Sequence, residues 1–249
     1  MAETHVVLAD AHIPFQDKSA LSVAHKIAKA AKPDVIWFLG DWLDFAPISR
    51  FRDSARYDHT VQDEIDEVID YFKRLRRTFP NTTIEYMMGN HDRRLKYHLW
   101  NNRAELKHLR MARFERQFLL DEDDKPLNLN INFRRGKYHL APKFILKHGS
   151  RYGLYAARWE EDDEGRSGMS GHNHRTVVWS WRTPGGGVTN WYSIGCLCGL
   201  DPPYLEDDGK PTHWNHGMAV LTKHGSKVGV ENIVIEKGTA IWRGRSFVA

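Results

Sequence analysis

The sequence predicts an α/β fold, a single domain spanning residues 1–249 with two packed sheets. Three observations carry this. Up to Met88, short apolar runs alternate with amphipathic helical patterns. From about Ile131 the texture changes to shorter strand-like pieces. No repeat and no low-complexity linker divides the chain. A strand–helix–strand–helix–strand order makes the first sheet parallel, with right-handed crossovers.

Taken in order, His5-Val-Val-Leu-Ala9 is nearly continuous and apolar, as a strand buried on both faces should be. Leu21, Ala24, Ile27, Ala28 and Ala31 then share one helical face, and Pro33 stops that helix. Asp34-Val-Ile-Trp-Phe-Leu39 is the second strand. Val61, Ile65, Val68, Ile69, Phe72 and Leu75 form the face of a second helix that ends before Pro80. Its acids, Asp63, Glu64, Asp66 and Glu67, crowd the first turns, and Lys73, Arg74, Arg76 and Arg77 the last, as the helix dipole favours. Arg74–Arg77 is therefore read as helix-end chemistry. Ile84-Glu-Tyr-Met-Met88 is the third strand. Arg93 to Leu120 is basic and helical, with Leu95, Leu99, Leu106, Leu109, Phe114 and Phe118 as apolar positions and a break near Asn101-Asn102. Lys143–Lys147, Thr176–Trp181, Val188–Ile194, Met218–Thr222 and Glu231–Ile235 are strand-like, with a hairpin signal at Pro184-Gly-Gly-Gly187. The acidic stretches Asp121–Asp124 and Glu160–Glu164 are expected to be solvated loops.

Composition excludes several classes. With 41% apolar and 27% charged residues in 249, disorder is not expected. The longest apolar run, Val35 to Leu39, is far shorter than the ~20 residues that cross a bilayer. The first residues lack the basic and apolar regions of a signal peptide, so a cytoplasmic protein is expected. Cys196-Leu-Cys198 is neither a redox pair nor a zinc spacing and reads as two buried reduced thiols. A net charge of +4 permits a phosphate-bearing partner without demanding one. The 14 histidines are roughly twice the average share or more, and histidine is the side chain most used for metal ligation and proton transfer near neutral pH.

The chemistry lies after the strands. Asp10-Ala-His12, Gly40-Asp41-Trp-Leu-Asp44, Gly89-Asn90-His91-Asp92, His148-Gly149 and Gly171-His172-Asn-His174 each follow a strand-like run. In open α/β sheets, ligands bind beyond the carboxyl ends of strands, where all five can converge. Residues two apart in extended chain point the same way, so Asp10 with His12, and His172 with His174, can each grip one ion. Gly-Asn-His-Asp alone should occur by chance in about one such chain in a thousand.

With these five blocks in order, between Asp10 and His174, the sequence resembles the calcineurin-like metallophosphoesterase superfamily. The resemblance implies a four-layer αββα sandwich with two facing mixed β-sheets and a two-metal centre between them at one edge. It assigns Asp10, His12, Asp41 and His174 to the first metal, and Asn90, His148 and His172 to the second, with Asp41 bridging both. Two divalent ions, manganese by family habit and otherwise iron, zinc, cobalt or nickel, hold a bridging hydroxide and clamp the phosphoryl oxygens. His91 is the implied leaving-group acid, oriented by Asp44, and Asn90 and His91 touch the substrate.

The expected activity is metal-dependent phosphoester hydrolysis, of phosphodiesters or in a nuclease-like manner. The alternatives are a phosphomonoesterase acting on proteins or nucleotides, and a catalytically silent scaffold, disfavoured because no ligand is lost. The phosphoprotein phosphatase branch places Arg after the second Asp of Gly-Asp-x-x-Asp and Glu after Gly-Asn-His; here these are Phe45 and Asp92, which leans the reading towards diesters. Nucleic acid is a possible partner: Arg50, Arg52, Arg93, Arg94 and Lys96 could meet its backbone, and Trp42, Trp100, Tyr155 and Trp159 could stack on bases.

Overall fold

The computed structural model describes residues 2–49, 58–106, 108–110, 113–121, 123, 125–202 and 212–249. In chain order the elements are β1 (Glu3–Leu8), α1 (Lys18–Ala31), β2 (Val35–Phe38), α2 (Val61–Thr78), β3 (Thr83–Met87), α3 (Arg94–Asn102), β4 (Ile131–Arg134), β5 (Lys137–Ala141), β6 (Phe144–Lys147), α4 (Ala156–Glu164), β7 (Ser167–Ser170), β8 (Val177–Arg182), β9 (Val188–Ser193), β10 (His216–His224), β11 (Lys227–Ile235), β12 (Thr239–Trp242) and β13 (Arg245–Val248).

A six-stranded sheet runs β11-β10-β1-β2-β3-β4, and a five-stranded sheet runs β5-β6-β7-β9-β8. Both are mixed. β1 to β4 are parallel in succession while β10 is antiparallel to β1; in the other sheet β6, β7 and β9 are parallel, flanked by antiparallel β5 and β8. The two-residue period of a strand sorts side chains into separate cores. Val6, Leu8, Ile36, Phe38, Ile84 and Tyr86 pack with α1 and α2 on the outer face of the larger sheet. Val7, Ala9, Trp37, Leu39 and Met87 meet Phe144, Leu146 and Met169 between the sheets. Ile145 and Trp191 meet Ala157 of α4 on the far side. Three cores between four layers are the αββα sandwich.

Local chemistry sets the element ends. Asp17 caps α1 by accepting from the Ala20 amide, and Thr60 with Asp63 forms a reciprocal capping box on α2. Arg76 at the end of α2 donates to the carbonyls of Phe79, Thr82, Leu129 and Asn130, the helix-end role its position suggests.

Three expectations need correction. Arg93–Leu120 is not one helical segment: α3 ends at Asn102, and short 3-10 turns follow at Ala104–Leu106 and Phe114–Phe118. Glu160–Glu164 is not a solvated loop but the end of α4, with Glu160 and Glu161 buried. Glu160 accepts from the Ser150 and Arg151 amides and pairs with Lys147, and Glu161 accepts from Thr189 Oγ1, so the acids carry internal bonds. Trp42 is fully buried, 4.6 Å from Phe38 and 5.1 Å from Tyr71, and is not available to a base. The β12–β13 hairpin, unexpected from the sequence, buries Ala240, Trp242 and Phe247 in the α1 core. Arg50 and Arg52 lie outside the described residues.

Candidate metal centre

Five strands deliver their motifs to one end of the inter-sheet space: β1 runs into Asp10 and His12, β2 into Asp41, β3 into Asn90 and His91, β6 into His148, and β7 into His172 and His174. The first two loops are laced together, the Asp10 amide donating to Gly40 O at 3.1 Å and the His12 amide to Asp41 O at 3.0 Å. Asp10, His12, Asp41, His172 and His174 all adopt left-handed backbone conformations, with φ between 48° and 64°. Each costs on the order of 1–3 kcal/mol, and such strain gathers at functional sites. Gly40 is required here, because at φ 94° a Cβ would stand 2.5 Å from the Gly89 amide nitrogen.

Two clusters of electron-pair donors result. In one, His12 Nε2 faces His174 Nε2 at 3.2 Å, and Asp10 Oδ1 stands 3.6 Å from the latter, buried and without a hydrogen bond. In the other, His148 Nε2 lies 2.9 Å from Asn90 Oδ1 and 3.1 Å from Asp41 Oδ2. Asp41, His148 and His172 offer ligand atoms within 4.8 Å of one another, as do Asp10, His12 and Asp41, so Asp41 belongs to both clusters.

The tautomers sharpen the picture. His148 Nδ1 donates to Leu39 O at 2.6 Å, which leaves Nε2 of the neutral ring as a lone pair aimed at two oxygens. His12 Nδ1 donates to Asp44 Oδ1 at 2.8 Å, with the same consequence for its Nε2. Each cluster therefore needs a cation. Protons fill the need in the polypeptide alone: burial presses His148 down, but the Asp41 carboxylate outweighs it and lifts the ring to about 9. His174 is likewise raised, against burial, by the Asp10 carboxylate beside it. Burial and the His148 charge push His172 down to about 4, so its nitrogen is free to ligate. A mixed imidazole, carboxylate and amide set around two cation positions suits divalent transition metals.

Asp44 and His91 stand beside these clusters. His91 Nδ1 donates to Asp44 Oδ1 at 2.7 Å, and the His91 amide donates to Asp41 Oδ1 at 2.7 Å. Bonds from His12 and His91 overcome burial and hold the Asp44 carboxyl well below the usual range. The site opens onto a cleft of about 1460 Å³ lined by His91, Arg94, Tyr97, Tyr152, His172 and Trp214 among others.

All nine sequence-predicted positions thus face one another. Sequence reasoning missed three contributors. Asp92, fourth residue of Gly-Asn-His-Asp, accepts from the amides of Asp41 and Gly89 and from Tyr86 OH, fastening two motif loops; burial and the Asp41 charge raise it to about 6. Glu160 anchors the loop after His148, and its only sequence signal was an acidic run. Arg94, considered only for nucleic acid, donates to Asp44 and to His91 Nε2. Both cysteines are buried and free, as expected, and Cys198 lies with His12 and His174. Arg93 bonds to Met88 O, and Lys96 sits 4.2 Å over the Trp100 ring.

The chain is similar to known proteins along most of its length. The chain is 26% identical to the Gene 54 protein of Mycobacterium phage L5, over 98% of each chain, and 26% identical to that of Mycobacterium phage D29, over 96% of each. Among solved structures it aligns with Vacuolar Protein Sorting 29 from Cryptosporidium parvum at TM-score 0.48 and 13% identity, covering 100% of this chain and 96% of that one. Chaetomium thermophilum Vps29 aligns at TM-score 0.48 and 11% identity, covering 99% and 91%. The family model for calcineurin-like phosphoesterases matches residues 4–208, which include every motif of the two donor clusters, and the chain belongs to that family.

Proposed function

We propose that this protein hydrolyses phosphoesters with two divalent metal ions, phosphodiesters being the leading substrates. The observation that supports this most is the pair of donor clusters, each crowding imidazole nitrogens and side-chain oxygens onto one cation position, joined through Asp41. In this reading Asp10, His12, Asp41 and His174 hold one ion, and Asp41, Asn90, His148 and His172 the other. Bound there, the ions supply a nucleophile at neutral pH and offset phosphoryl charge.

The chain's own residues do the rest. Asp44 fixes the His91 ring so that Nε2, not Nδ1, is turned to the cleft, where it delivers a proton to the leaving oxygen. His12 is oriented by the same Asp44 oxygen, so acid and ligand are placed by one carboxylate. Asn90 and His91 meet the substrate. The volume of the cleft, about 1460 Å³ with Tyr97, Tyr152 and Trp214 in its walls, supports a substrate that carries a substituent on each side of the phosphorus. One observation favours monoesters as a second reading: Arg94 brings a guanidinium to His91, so Phe45 does not leave the site without one.

The test is a metal-supplemented panel of bis-p-nitrophenyl phosphate, p-nitrophenyl phosphate, single-stranded DNA and duplex DNA. Diester turnover above monoester turnover is expected. A monoester-only profile reverses the substrate order, and no turnover with any ester under any divalent metal refutes the hydrolase reading.

A further inference from the structure

We infer that Arg94 is a phosphate-binding residue of this site, and that on substrate binding its guanidinium leaves His91 for a phosphoryl oxygen. The inference rests on the phosphoesterase reading for its substrate but on Arg94's own contacts for its geometry.

Arg94 is the first residue of α3, and its side chain folds back over the His91–Asp44 pair. Nη1 donates to the Asp44 carbonyl at 2.8 Å and to Asp44 Oδ2 at 3.2 Å. Nη2 donates to His91 Nε2 at 3.0 Å. With Nδ1 committed to Asp44, Nε2 is the only hydrogen-bonding position His91 has left, and Arg94 holds it. His91 therefore cannot turn Nε2 to a leaving group while this bond persists.

The three contacts are unequal. The two to Asp44 join a cation to a carbonyl and a carboxylate deep in the site. The third joins a cation to a neutral ring nitrogen. A phosphoryl oxygen in the cleft is an anionic acceptor, so to the hydrogen bond it adds the attraction of opposite charges and the option of a bidentate grip. Exchange of His91 Nε2 for that oxygen is downhill, while Nη1 stays anchored on Asp44. Arg94 lines the cleft with its side chain 18% exposed, enough to be reached and too little to wander. Its neighbour Arg93 takes a separate course, Nη2 donating to Met88 O at 3.1 Å. The exchange frees His91 Nε2, until then an acceptor without a hydrogen, to take up a proton from water in the cleft and pass it to the leaving oxygen, and it supplies from the start of α3 the guanidinium that Phe45 cannot.

The experiment measures inorganic phosphate binding to the metal-loaded protein by calorimetry, with metal content and melting temperature recorded for each variant. Loss of a bond between charged groups weakens binding roughly tenfold to a hundredfold. Arg94→Ala should show this with metal content unchanged. Added guanidinium should restore part of the affinity, Arg94→Lys should recover part without it, and Arg93→Ala should match the unmodified protein. Phosphate affinity of Arg94→Ala within twofold of the unmodified protein overturns the proposal. Weakened binding with neither guanidinium rescue nor recovery in Arg94→Lys also overturns it, because a cation restored to this position then does nothing for the phosphate. Should Arg94→Ala lose metal or stability, Arg94→Lys decides alone, since it keeps a cation at Asp44. Phosphate binding is read without turnover, so an inactive protein refutes the hydrolase reading and leaves this result standing.

Discussion

Metal binding should be coupled to proton release, in an amount set by two histidines. His148 Nε2 lies between Asn90 Oδ1 at 2.9 Å and Asp41 Oδ2 at 3.1 Å. Burial alone lowers this ring, but the Asp41 charge lifts it from its ordinary 6.5 to about 9. At pH 7 an entering ion must displace that proton, which weakens apparent affinity about a hundredfold relative to pH above 9, tenfold for each pH step. His174, raised by the Asp10 carboxylate beside it, adds a second contribution, while His12 and His172 are lowered by burial and contribute none. Titration of manganese at pH 7 in buffers of differing ionisation enthalpy should therefore release between one and two protons per chain. The same shift predicts stability without metal. Because the folded value lies above the unfolded one, His148 stabilises the metal-free fold below pH 6.5, and this is lost as pH rises through about 9. The span from 6.5 to about 9 corresponds to on the order of 3 kcal/mol. Urea unfolding of the EDTA-treated protein should show that decline, and bound metal should reverse it. Metal affinity independent of pH, with no proton released, refutes the reasoning that protons occupy the cation positions.

Further outcomes follow from individual residues. His91→Ala should lower turnover of bis-p-nitrophenyl phosphate by ~10²- to 10⁴-fold with metal content retained, as measured by mass spectrometry of the metals. Asp41→Asn should abolish most turnover and also reduce bound metal, because its carboxylate serves both clusters; hydrolysis near the unmodified rate in a folded, metal-poor Asp41→Asn contradicts the two-metal reading. Glu160→Gln leaves the half-buried Lys147 with Glu164, at 2.9 Å, and the Trp191 ring, and should cost about 1–2 kcal/mol in urea unfolding. Gly40→Ala should destabilise by more than ~1 kcal/mol, since alanine is strained at φ 94° and its Cβ meets Gly89.

Much of the fold was legible because buried parallel strands leave continuous apolar runs: β1, β2 and β3 fall within two residues of the runs that announced them. The motifs after those runs were legible for the same reason, being fixed to strand ends. What escaped the sequence was chosen by tertiary context. Glu160 looks like a solvated acid until α4 brings it to Lys147 and the Ser150 amide. Trp42 looks like a stacking platform until Phe38 and Tyr71 enclose it. Arg94 reads as one of several basic residues, and only the fold-back over Asp44 sets it apart from Arg93. β12 and β13 are four residues each and half-exposed, too short for their period to stand out.

The central claim is that Asp41 joins two ion positions, and electron paramagnetic resonance of the protein titrated with manganese tests it most directly. Two ions per chain with a spin-coupled signal, and diester turnover that rises with the second equivalent, are predicted. A single ion, or two with the uncoupled signal of isolated manganese, contradicts it.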